Sequence, residues 1–242
     1  MIFLKKLIIL TFILIVFLGL GINGYASERN NEIETLNFCS GSTAAILYEP
    51  NTNKVLYNKE INRRLPPASM TKIMTLLIIY EELEKNTFNK ETILTINESC
   101  TKVEGSKAFL SVGDMISVDE LLKCICIASA NDAAIAMAEH ISGSELEFVK
   151  KMNLKVKELD LRNTNFSDCT GLSSKNHYTS AYDLAVISDE LISKYPDVLN
   201  YTNIQQDYIR KDTAKPFWLV NTNKMIGRVK NLNGLKTGVL AD

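Results

Sequence analysis

The sequence feature that most constrains the fold is an apolar run that follows two prolines. Pro66-Pro67 favours an extended approach, and Ser69 stands where a helix can begin. Residues 73–80 are then apolar on nearly every face, which is typical of a helix buried on all sides. We therefore expect a helix from Ser69 to about Glu84 at the centre of a domain, with the other elements packed around it.

This helix also carries a pair of residues that can do chemistry. Ser69 and Lys72 are three positions apart, so on a helix they share one face and pair a hydroxyl nucleophile with a candidate base. Ser-x-x-Lys is short, and a second copy, Ser99 to Lys102, lies in a polar stretch with no apolar helix behind it. We interpret the second copy as coincidence.

The first 26 residues have the pattern of an export signal. Lys5-Lys6 precede an uncharged run over residues 7–22, and Gly24-Tyr25-Ala26 places small residues where a signal peptidase reads. The run is long for a cleaved signal and short for a membrane span, so a cleaved signal and an uncleaved anchor stay open as alternatives. We predict an exported, extracytoplasmic protein associated with the cell wall or the membrane.

Composition favours a globular domain and excludes several classes of function. Nearly half of the 242 residues are hydrophobic, enough for a sizeable core. Without Lys5 and Lys6 the chain has 25 basic and 28 acidic side chains, a net charge of −3 that does not suggest a nucleic-acid partner. The five cysteines lack metal-site spacing, so we predict no metal and no other cofactor, and we interpret Cys124 and Cys126 as buried small hydrophobes.

The pattern of the remaining chain predicts strands at both ends and helices between them. Capping boxes at Ser117 to Glu120 and Ser144 to Glu147 each predict the start of a helix. This order indicates an α/β or α+β fold. The predicted strands are 42–49, 55–58, 205–210, 217–220 and the end of 224–237, and the predicted helices begin near 69, 117, 133, 144 and 181.

Two further motifs follow Ser-x-x-Lys along the chain. Ser129-Ala130-Asn131 lies at a predicted break between helices, and Lys236-Thr237-Gly238 lies on the predicted last strand. Each motif alone is weak, but the three in this order and setting are specific. On these residues the chain resembles the penicillin-binding proteins and serine β-lactamases, and most of all the low-molecular-mass D-alanyl-D-alanine carboxypeptidases. The matching text is 67–75, 131–134, 177–183 and 234–238.

The resemblance implies a β-lactamase/transpeptidase-like fold, with a helical subdomain and an antiparallel sheet. It implies a serine-type carboxypeptidase that removes the terminal D-alanine from peptidoglycan stem peptides through an acyl-enzyme on Ser69. The implied partners are stem peptides that end in D-Ala-D-Ala and β-lactam antibiotics, which are covalent inhibitors. Membrane association stays open with the anchor.

The chemistry requires Lys72 to lose its proton before Ser69 attacks. Lowering a lysine pKa from about 10.4 to between 7 and 8 takes roughly 4 kcal/mol. A second cation about 4 Å away would supply repulsion of that order, to which desolvation adds, and Lys236 is the candidate. By resemblance, Ser129 relays the proton, Asn131 holds the substrate's backbone amide, Lys236 and Thr237 receive its terminal carboxylate, and the backbone amides of Ser69 and Val239 form the oxyanion hole.

The two histidines are not required as bases. No serine has the Gly-x-Ser-x-Gly setting of a nucleophile elbow, so we do not predict a triad that uses His140 or His177. We expect His177 to order its loop instead.

The sequence departs from the family pattern at its end. Four residues follow Gly238, where the family continues with two strands, a helix and a β-rich domain. We therefore expect residues 27–242 to form an incomplete catalytic domain, with an incomplete sheet that leaves residues 236–239 unanchored. Two alternatives stay open: a catalytically silent, truncated penicillin-binding protein, and a β-lactamase. The β-lactamase is disfavoured because no Glu-x-x-Leu-Asn lies between Asn131 and Lys236.

Overall fold

The computed structural model describes residues 39–172 and 176–239. The predicted export signal, residues 1–26, lies outside them. Residues 39–42 form a turn in a first unit, and the second unit, which begins at Thr43, carries every described helix and strand. None of the described helices combines the length and the apolar character needed to cross a bilayer.

Strands pair near both ends of the described chain, and most helices lie between them. This order confirms the predicted α/β or α+β fold class. The strands are β1 (Ala45–Glu49), β2 (Lys54–Lys59), β3 (Ile93–Thr95), β4 (Met115–Ser117), β5 (Gln206–Ile209) and β6 (Phe217–Val220). The α-helices are α1 (Lys72–Glu84), α2 (Glu98–Thr101), α3 (Val118–Ala128), α4 (Asn131–Ser142), α5 (Glu145–Glu158), α6 (Ala181–Lys194) and α7 (Val198–Thr202). Short 3-10 helices cover Pro50–Thr52 and Ala68–Thr71.

The described strands form three separate two-stranded antiparallel sheets. β1 pairs with β2, β3 with β4, and β5 with β6. In the first hairpin the Glu49 carboxylate accepts hydrogen bonds from the backbone N–H groups of Asn51 and Thr52, which fixes the connecting turn. A two-stranded ribbon is marginally stable alone, so these sheets depend on the helices that they contact.

Helix α1 is the centre of the domain, as its all-round apolar pattern predicted. Every residue from Lys72 to Tyr80 is buried, and α1 contacts α4, α5 and α6. It starts one turn later than we expected, because residues 68–71 form a tighter 3-10 turn. Ser69 therefore lies in that turn, with Lys72 at the first position of α1.

Capping explains where the neighbouring helices begin. Ser117 accepts a hydrogen bond from the Glu120 N–H at 3.2 Å, and the Glu120 carboxylate accepts one from the Ser117 N–H at 3.5 Å, which confirms the predicted capping box. At the start of α5, Ser144 accepts from the Glu147 N–H at 3.2 Å. Such caps contribute about 1 kcal/mol each.

The segment after β6 differs from the prediction. We expected a final strand that carries Lys236 to Gly238, but residues 221–239 contain turns and no strand. The N–H groups of Asn221 and Thr222 donate to distant carbonyls, but from residue 223 onward the backbone bonds are local, such as Leu232 N–H to the Val229 carbonyl at 3.3 Å. An extended segment becomes a strand only when a neighbour completes the ladder, and no described strand pairs with 233–239. The short helix α7 was also not predicted, because five residues show no helical period.

Candidate active site

The turn before α1 presents Ser69 under backbone strain. Ala68 has φ = +48°, a left-handed conformation that is unusual for a residue with a side chain. Gly171, with φ = +88°, packs directly against it: a Cβ atom there would lie 1.8 Å from the Ala68 carbonyl oxygen. The approach of two loops, around residues 68 and 171, therefore requires glycine at position 171.

A cavity of about 150 Å³ opens above Ser69. The structure brings to its lining most of the predicted site residues, from segments far apart in the sequence. Of the predicted residues, Ser69, Ser129, Asn131, Thr237 and Val239 line this cavity. Gly105, Ser106, Thr170, Gly171, Leu172 and Thr222 complete the lining.

Lys72 lies beneath the cavity and is completely buried. Its Nζ atom is 3.3 Å from Ser69 Oγ, 2.6 Å from Asn131 Oδ1 and 2.7 Å from the Thr170 carbonyl oxygen. Two short bonds therefore hold the amine, and the longer one joins it to the Ser69 hydroxyl. The predicted Ser69–Lys72 pair is present in the structure.

The surroundings of Lys72 favour its neutral form. Burial, followed by the charge of Lys236, lowers the Lys72 pKa to about 7, while Cys169, Asp168 and Asp132 oppose the shift. We expected repulsion from Lys236 to be the larger cause, but burial is. A shift of this size corresponds to about 5 kcal/mol, the same order as a lysine base needs. A neutral amine can donate its two N–H groups to Asn131 and Thr170, which leaves its lone pair for the Ser69 hydroxyl.

Ser129 brings a buried hydroxyl to the lining of the cavity. It ends α3 with φ = +60°, is buried, and its Oγ has no hydrogen-bond partner in the described part of the chain. A buried hydroxyl without a partner is costly and is typical of a functional position. This geometry agrees with the proton-relay role that the resemblance implied.

Asn131 has more structural contacts than its implied role suggested. Besides accepting from Lys72, its side chain donates to the Glu104 carbonyl oxygen at 2.7 Å, and its backbone N–H donates to the Ser106 carbonyl at 2.7 Å. The amide still has one free donor and one free acceptor position for a ligand. Gly105 lies close by, since a Cβ there would be 2.9 Å from Asn131 Nδ2.

Residues 236–239 form the other side of the cavity without belonging to a sheet. Thr237 Oγ1 donates to Thr222 Oγ1 at 2.8 Å, and a Cβ on Gly238 would lie 2.9 Å from the Pro67 carbonyl oxygen. Lys236 is half-buried, its Nζ donates to the Thr237 carbonyl at 3.1 Å, and burial lowers its pKa to about 8. The expectation that this segment is unanchored is therefore wrong for Thr237, which Thr222 holds, and it stays a prediction for Lys236 and the Val239 amide.

Neither histidine bonds to Ser69. His140 packs edge-on against Phe88, and His177 is buried with Nε2 2.7 Å from Thr71 Oγ1. The structure thus contains no histidine base for Ser69 among the described residues. The contacts of His177 with Thr71 and with Ser167 agree with a role in ordering its loop.

The second Ser-x-x-Lys has no comparable setting. Ser99 donates to Asn97, and Lys102 is exposed and paired with Glu98 at 2.8 Å. Cys124 and Cys126 are buried in α3, as predicted. In the part of the chain that the structure describes, no group of three His, Cys, Asp or Glu side chains is arranged to hold a metal ion.

Sequence reasoning missed several residues that complete the site. Thr170 supplies a backbone carbonyl and Thr222 a hydroxyl, and such contributions leave no motif. Gly171 was the one detectable signal: an isolated glycine in a polar loop often marks a positive φ or a close backbone approach.

Comparison with known proteins shows that the sequence is similar to D-alanyl-D-alanine carboxypeptidases. A family model described as D-alanyl-D-alanine carboxypeptidase matches residues 33–241. The D-alanyl-D-alanine carboxypeptidase DacF of Bacillus subtilis is 46% identical over 234 residues, which are 97% of this chain and 59% of that protein. The chain therefore spans about three fifths of the length of this curated relative.

Solved structures give the same result. A peptidoglycan synthesis regulatory factor (PBP3) from Streptococcus pneumoniae superposes with a TM-score of 0.74 and 32% identity over 82% of this chain and 60% of that chain. Penicillin-binding protein D2 from Listeria monocytogenes, in the ampicillin-bound form, gives a TM-score of 0.72 and 28% identity over 82% of this chain and 79% of that chain.

Proposed function

The chain belongs to the peptidase S11 family of D-alanyl-D-alanine carboxypeptidases, and we propose that it removes the terminal D-alanine from peptidoglycan stem peptides through an acyl-enzyme on Ser69. The observation that carries the proposal is the buried Lys72 amine, with a pKa of about 7 and 3.3 Å from the Ser69 hydroxyl. A serine without an adjacent base is a poor nucleophile, and this lysine supplies the base.

In the proposed first step, Ser69 Oγ attacks the carbonyl carbon of the last peptide bond. Its proton passes to the neutral Lys72 amine, which keeps its bonds to Asn131 and Thr170 throughout. The developing negative charge on the carbonyl oxygen lies between the backbone N–H groups of Ser69 and Val239. The position of Ser69 in the turn before α1 adds the positive end of a helix dipole.

The C–N bond then breaks, and the leaving amine of D-alanine must gain a proton. Ser129 is suited to relay that proton from Lys72, because its hydroxyl is buried beside the cavity and has no other described partner. Water afterwards hydrolyses the ester on Ser69 by the same proton path in reverse. Asn131 offers its remaining amide positions to the substrate backbone.

The terminal carboxylate of the substrate is assigned to Lys236 and Thr237. A lysine with a pKa of about 8 is mostly cationic at neutral pH, and an approaching carboxylate favours the charged form further. The same two residues would receive the carboxylate of a β-lactam, which we propose as a covalent inhibitor.

The proposed substrate indicates where the protein acts. Peptidoglycan stem peptides lie outside the cytoplasm, so the proposed activity agrees with the export signal expected at residues 1–26. Association with the membrane through an uncleaved anchor stays a prediction.

A labelling experiment tests the function. Purified protein is incubated with a fluorescent penicillin and, separately, with diacetyl-L-lysyl-D-alanyl-D-alanine. We expect a stable fluorescent label and release of D-alanine. Ser69→Ala should abolish both while leaving the circular dichroism spectrum unchanged, and the matched control Ser99→Ala, in the second Ser-x-x-Lys, should behave like wild type.

The other outcomes select the alternatives. Rapid loss of label with hydrolysis of the β-lactam would favour a β-lactamase. Folded protein that takes no label would favour a catalytically silent penicillin-binding protein, a reading motivated by the absence of a strand at residues 236–239. Label that persists in Ser69→Ala would remove Ser69 from the mechanism.

A further inference from the structure

The loop that contains Gly171 sets the position of the Lys72 amine. Two consecutive backbone carbonyls of this loop point at α1: the Cys169 oxygen accepts from Thr75 Oγ1 at 2.7 Å, and the Thr170 oxygen accepts from Lys72 Nζ at 2.7 Å. One of the two short bonds that orient the Lys72 amine therefore comes from this loop, and the other comes from Asn131 in the second motif. Whatever holds residues 168–171 in place also holds Lys72.

Asp168 closes this loop into a tight turn. Its Oδ1 atom accepts from the Thr170 N–H at 2.8 Å, from Thr170 Oγ1 at 2.9 Å and from the Gly171 N–H at 2.5 Å. Burial opposes ionisation of this carboxyl, but the neighbouring His177 and the three donated bonds outweigh it and lower the Asp168 pKa. Asp168 is therefore an anion whose bonds fix the direction of the Thr170 carbonyl.

His177 ties the same loop to the turn that carries the nucleophile. Its Nδ1 accepts from the Ser167 backbone N–H at 3.1 Å and lies 3.5 Å from Asp168 Oδ2, and its Nε2 is 2.7 Å from Thr71 Oγ1. Because Nδ1 accepts, we assign the ring proton to Nε2, which then donates to Thr71. Thr71 immediately precedes Lys72. Burial, partly offset by Asp168, lowers the His177 pKa, which favours this neutral tautomer.

From these contacts we propose that Asp168 and His177 are positioning residues for acylation, which hold the Thr170 carbonyl oxygen against Lys72 Nζ so that the remaining electron pair of the amine faces the Ser69 hydroxyl. The inference rests on the proposed function and deepens it. Neither residue touches the substrate; both act through Thr170 and Thr71.

The direction of the Lys72 lone pair explains why the Thr170 carbonyl should affect the acylation rate. With Asn131 and Thr170 as acceptors, a neutral Lys72 has one direction left for its lone pair, and that direction is Ser69. If the Thr170 carbonyl moves, the amine can rotate, and a displacement of about 1 Å in such a site costs up to about 100-fold in rate.

The charges that face Lys72 also make the proposal testable by pH. Lys236 disfavours the protonated amine, whereas Asp168, Asp132 and Cys169 favour it. Replacing Asp168 by asparagine removes one of these negative charges and keeps an oxygen that can accept the three bonds of the turn.

The first experiment measures the acylation rate constant with fluorescent penicillin from pH 5.5 to 9. Asp168→Ala loses the turn, and we expect the plateau rate to fall by about 10- to 100-fold. Asp168→Asn should stay within about threefold of wild type at its plateau, but its rate should fall off at a lower pH than that of wild type. Both variants remove the charge and only Asp168→Ala removes the three bonds of the turn, so equal plateau rates in the two variants would overturn the positioning role.

Two histidine variants separate the bonds of His177. His177→Asn keeps an acceptor near the Ser167 N–H, and His177→Gln keeps a donor near Thr71 Oγ1; we expect each to retain more acylation than His177→Ala. His140→Asn is the matched control, because that ring packs edge-on against Phe88 and does not line the cavity at Ser69, and it should leave the rate unchanged. Equal rates in His177→Ala and wild type would overturn the role of His177.

A second measurement does not depend on activity. The side-chain ¹³Cε resonance of Lys72, assigned by its loss in Lys72→Arg, is titrated by NMR in wild type and in Asp168→Asn. We expect the titration midpoint to move to lower pH in the variant. An identical midpoint together with an unchanged acylation profile would overturn the positioning role of Asp168, whereas wild-type protein that takes no label would overturn the proposed function. Failure of the positioning role and failure of the proposed function can therefore be distinguished.

Discussion

The buried wall of the cavity, which comprises residues 69–72, Asn131, residues 168–172 and His177, contrasts with the outer wall, which comprises Thr222 and residues 236–239. In the buried wall, Lys72, Asn131 and His177 are all buried, and each makes at least two hydrogen bonds. In the outer wall, Lys236 and Thr237 are half-buried, and the Val239 side chain is 86% exposed.

The difference follows from what each wall is proposed to do. Proton transfer from Ser69 needs a lysine kept neutral, and neutrality here comes mainly from burial. Recognition of a carboxylate needs a cation that solvent and ligand can reach, and a lysine with a pKa of about 8 in a half-buried position meets this need. The same residue type thus has two roles because the two walls have different solvation.

We expect the largest effect on stability from a substitution at the closest backbone contact of the buried wall, between Gly171 and Ala68. Gly171→Ala places a Cβ atom 1.8 Å from the Ala68 carbonyl oxygen at a position with positive φ. We expect the free energy of unfolding to fall by about 3 kcal/mol, and we expect acylation of Ser69 to be lost. Gly238→Ala, in the outer wall, meets the Pro67 carbonyl at 2.9 Å and should cost about 1 kcal/mol. Urea denaturation measures both.

The matched control for Gly171→Ala is Gly113→Ala. Gly113 has nearly the same φ, +85°, but no atom within 4 Å of its Cβ position, so only the backbone strain of about 1 kcal/mol applies. If Gly171→Ala and Gly113→Ala destabilise the protein equally, the close approach of the two loops does not contribute to stability.

A smaller effect concerns the pH dependence of stability. The Lys72 pKa is about 7 in the folded protein and about 10.5 when unfolded, so between these values the unfolded chain binds a proton that the folded chain does not. The contribution of Lys72 to unfolding free energy therefore rises with pH, by up to about 1.4 kcal/mol per pH unit. Relative to Lys72→Met, we expect wild type to gain stability from pH 7 to 9.

The outer wall sharpens this test. Lys236 has a pKa of about 8, so the corresponding gain relative to Lys236→Met should begin about one pH unit higher and be smaller. Urea titrations at pH 6.5, 7.5, 8.5 and 9 give both curves. A flat difference between wild type and Lys72→Met would show that Lys72 titrates at the same pH in both states.

The smallest expected effect compares two threonines. Thr75→Val leaves the buried Cys169 carbonyl without its 2.7 Å bond and should cost about 1 kcal/mol of unfolding free energy. Thr222→Val removes the partner of Thr237 in the half-exposed outer wall, so stability should change little while acylation falls by roughly threefold. Loss of stability in Thr222→Val instead would show that the outer wall also stabilises the domain.

Much of the fold could be predicted because its signals are local. The apolar pattern of residues 73–80 predicted the central helix, and Ser117 with Glu120 predicted the start of α3, since periodicity and capping act within one or two turns. The predicted strand at Lys236 to Gly238 was wrong because a strand depends on a neighbour that the local sequence does not contain.

The candidate site shows the same division. Ser69 and Lys72 could be paired from sequence, because three positions on a helix bring side chains together. The contributions of Thr170, Thr222 and His177 could not, because they depend on which backbone carbonyl or hydroxyl the folded chain brings near.

The sequence by itself determined the pairing of Ser69 with Lys72, the family and the order of the helices, since these depend on residue identity and short spacing. Only the tertiary structure decided how the Lys72 amine becomes neutral, which wall of the cavity is buried, and that Asp168 and His177 stand behind the base. Burial and distances across the fold depend on contacts between distant segments, and those contacts exist only in the folded chain.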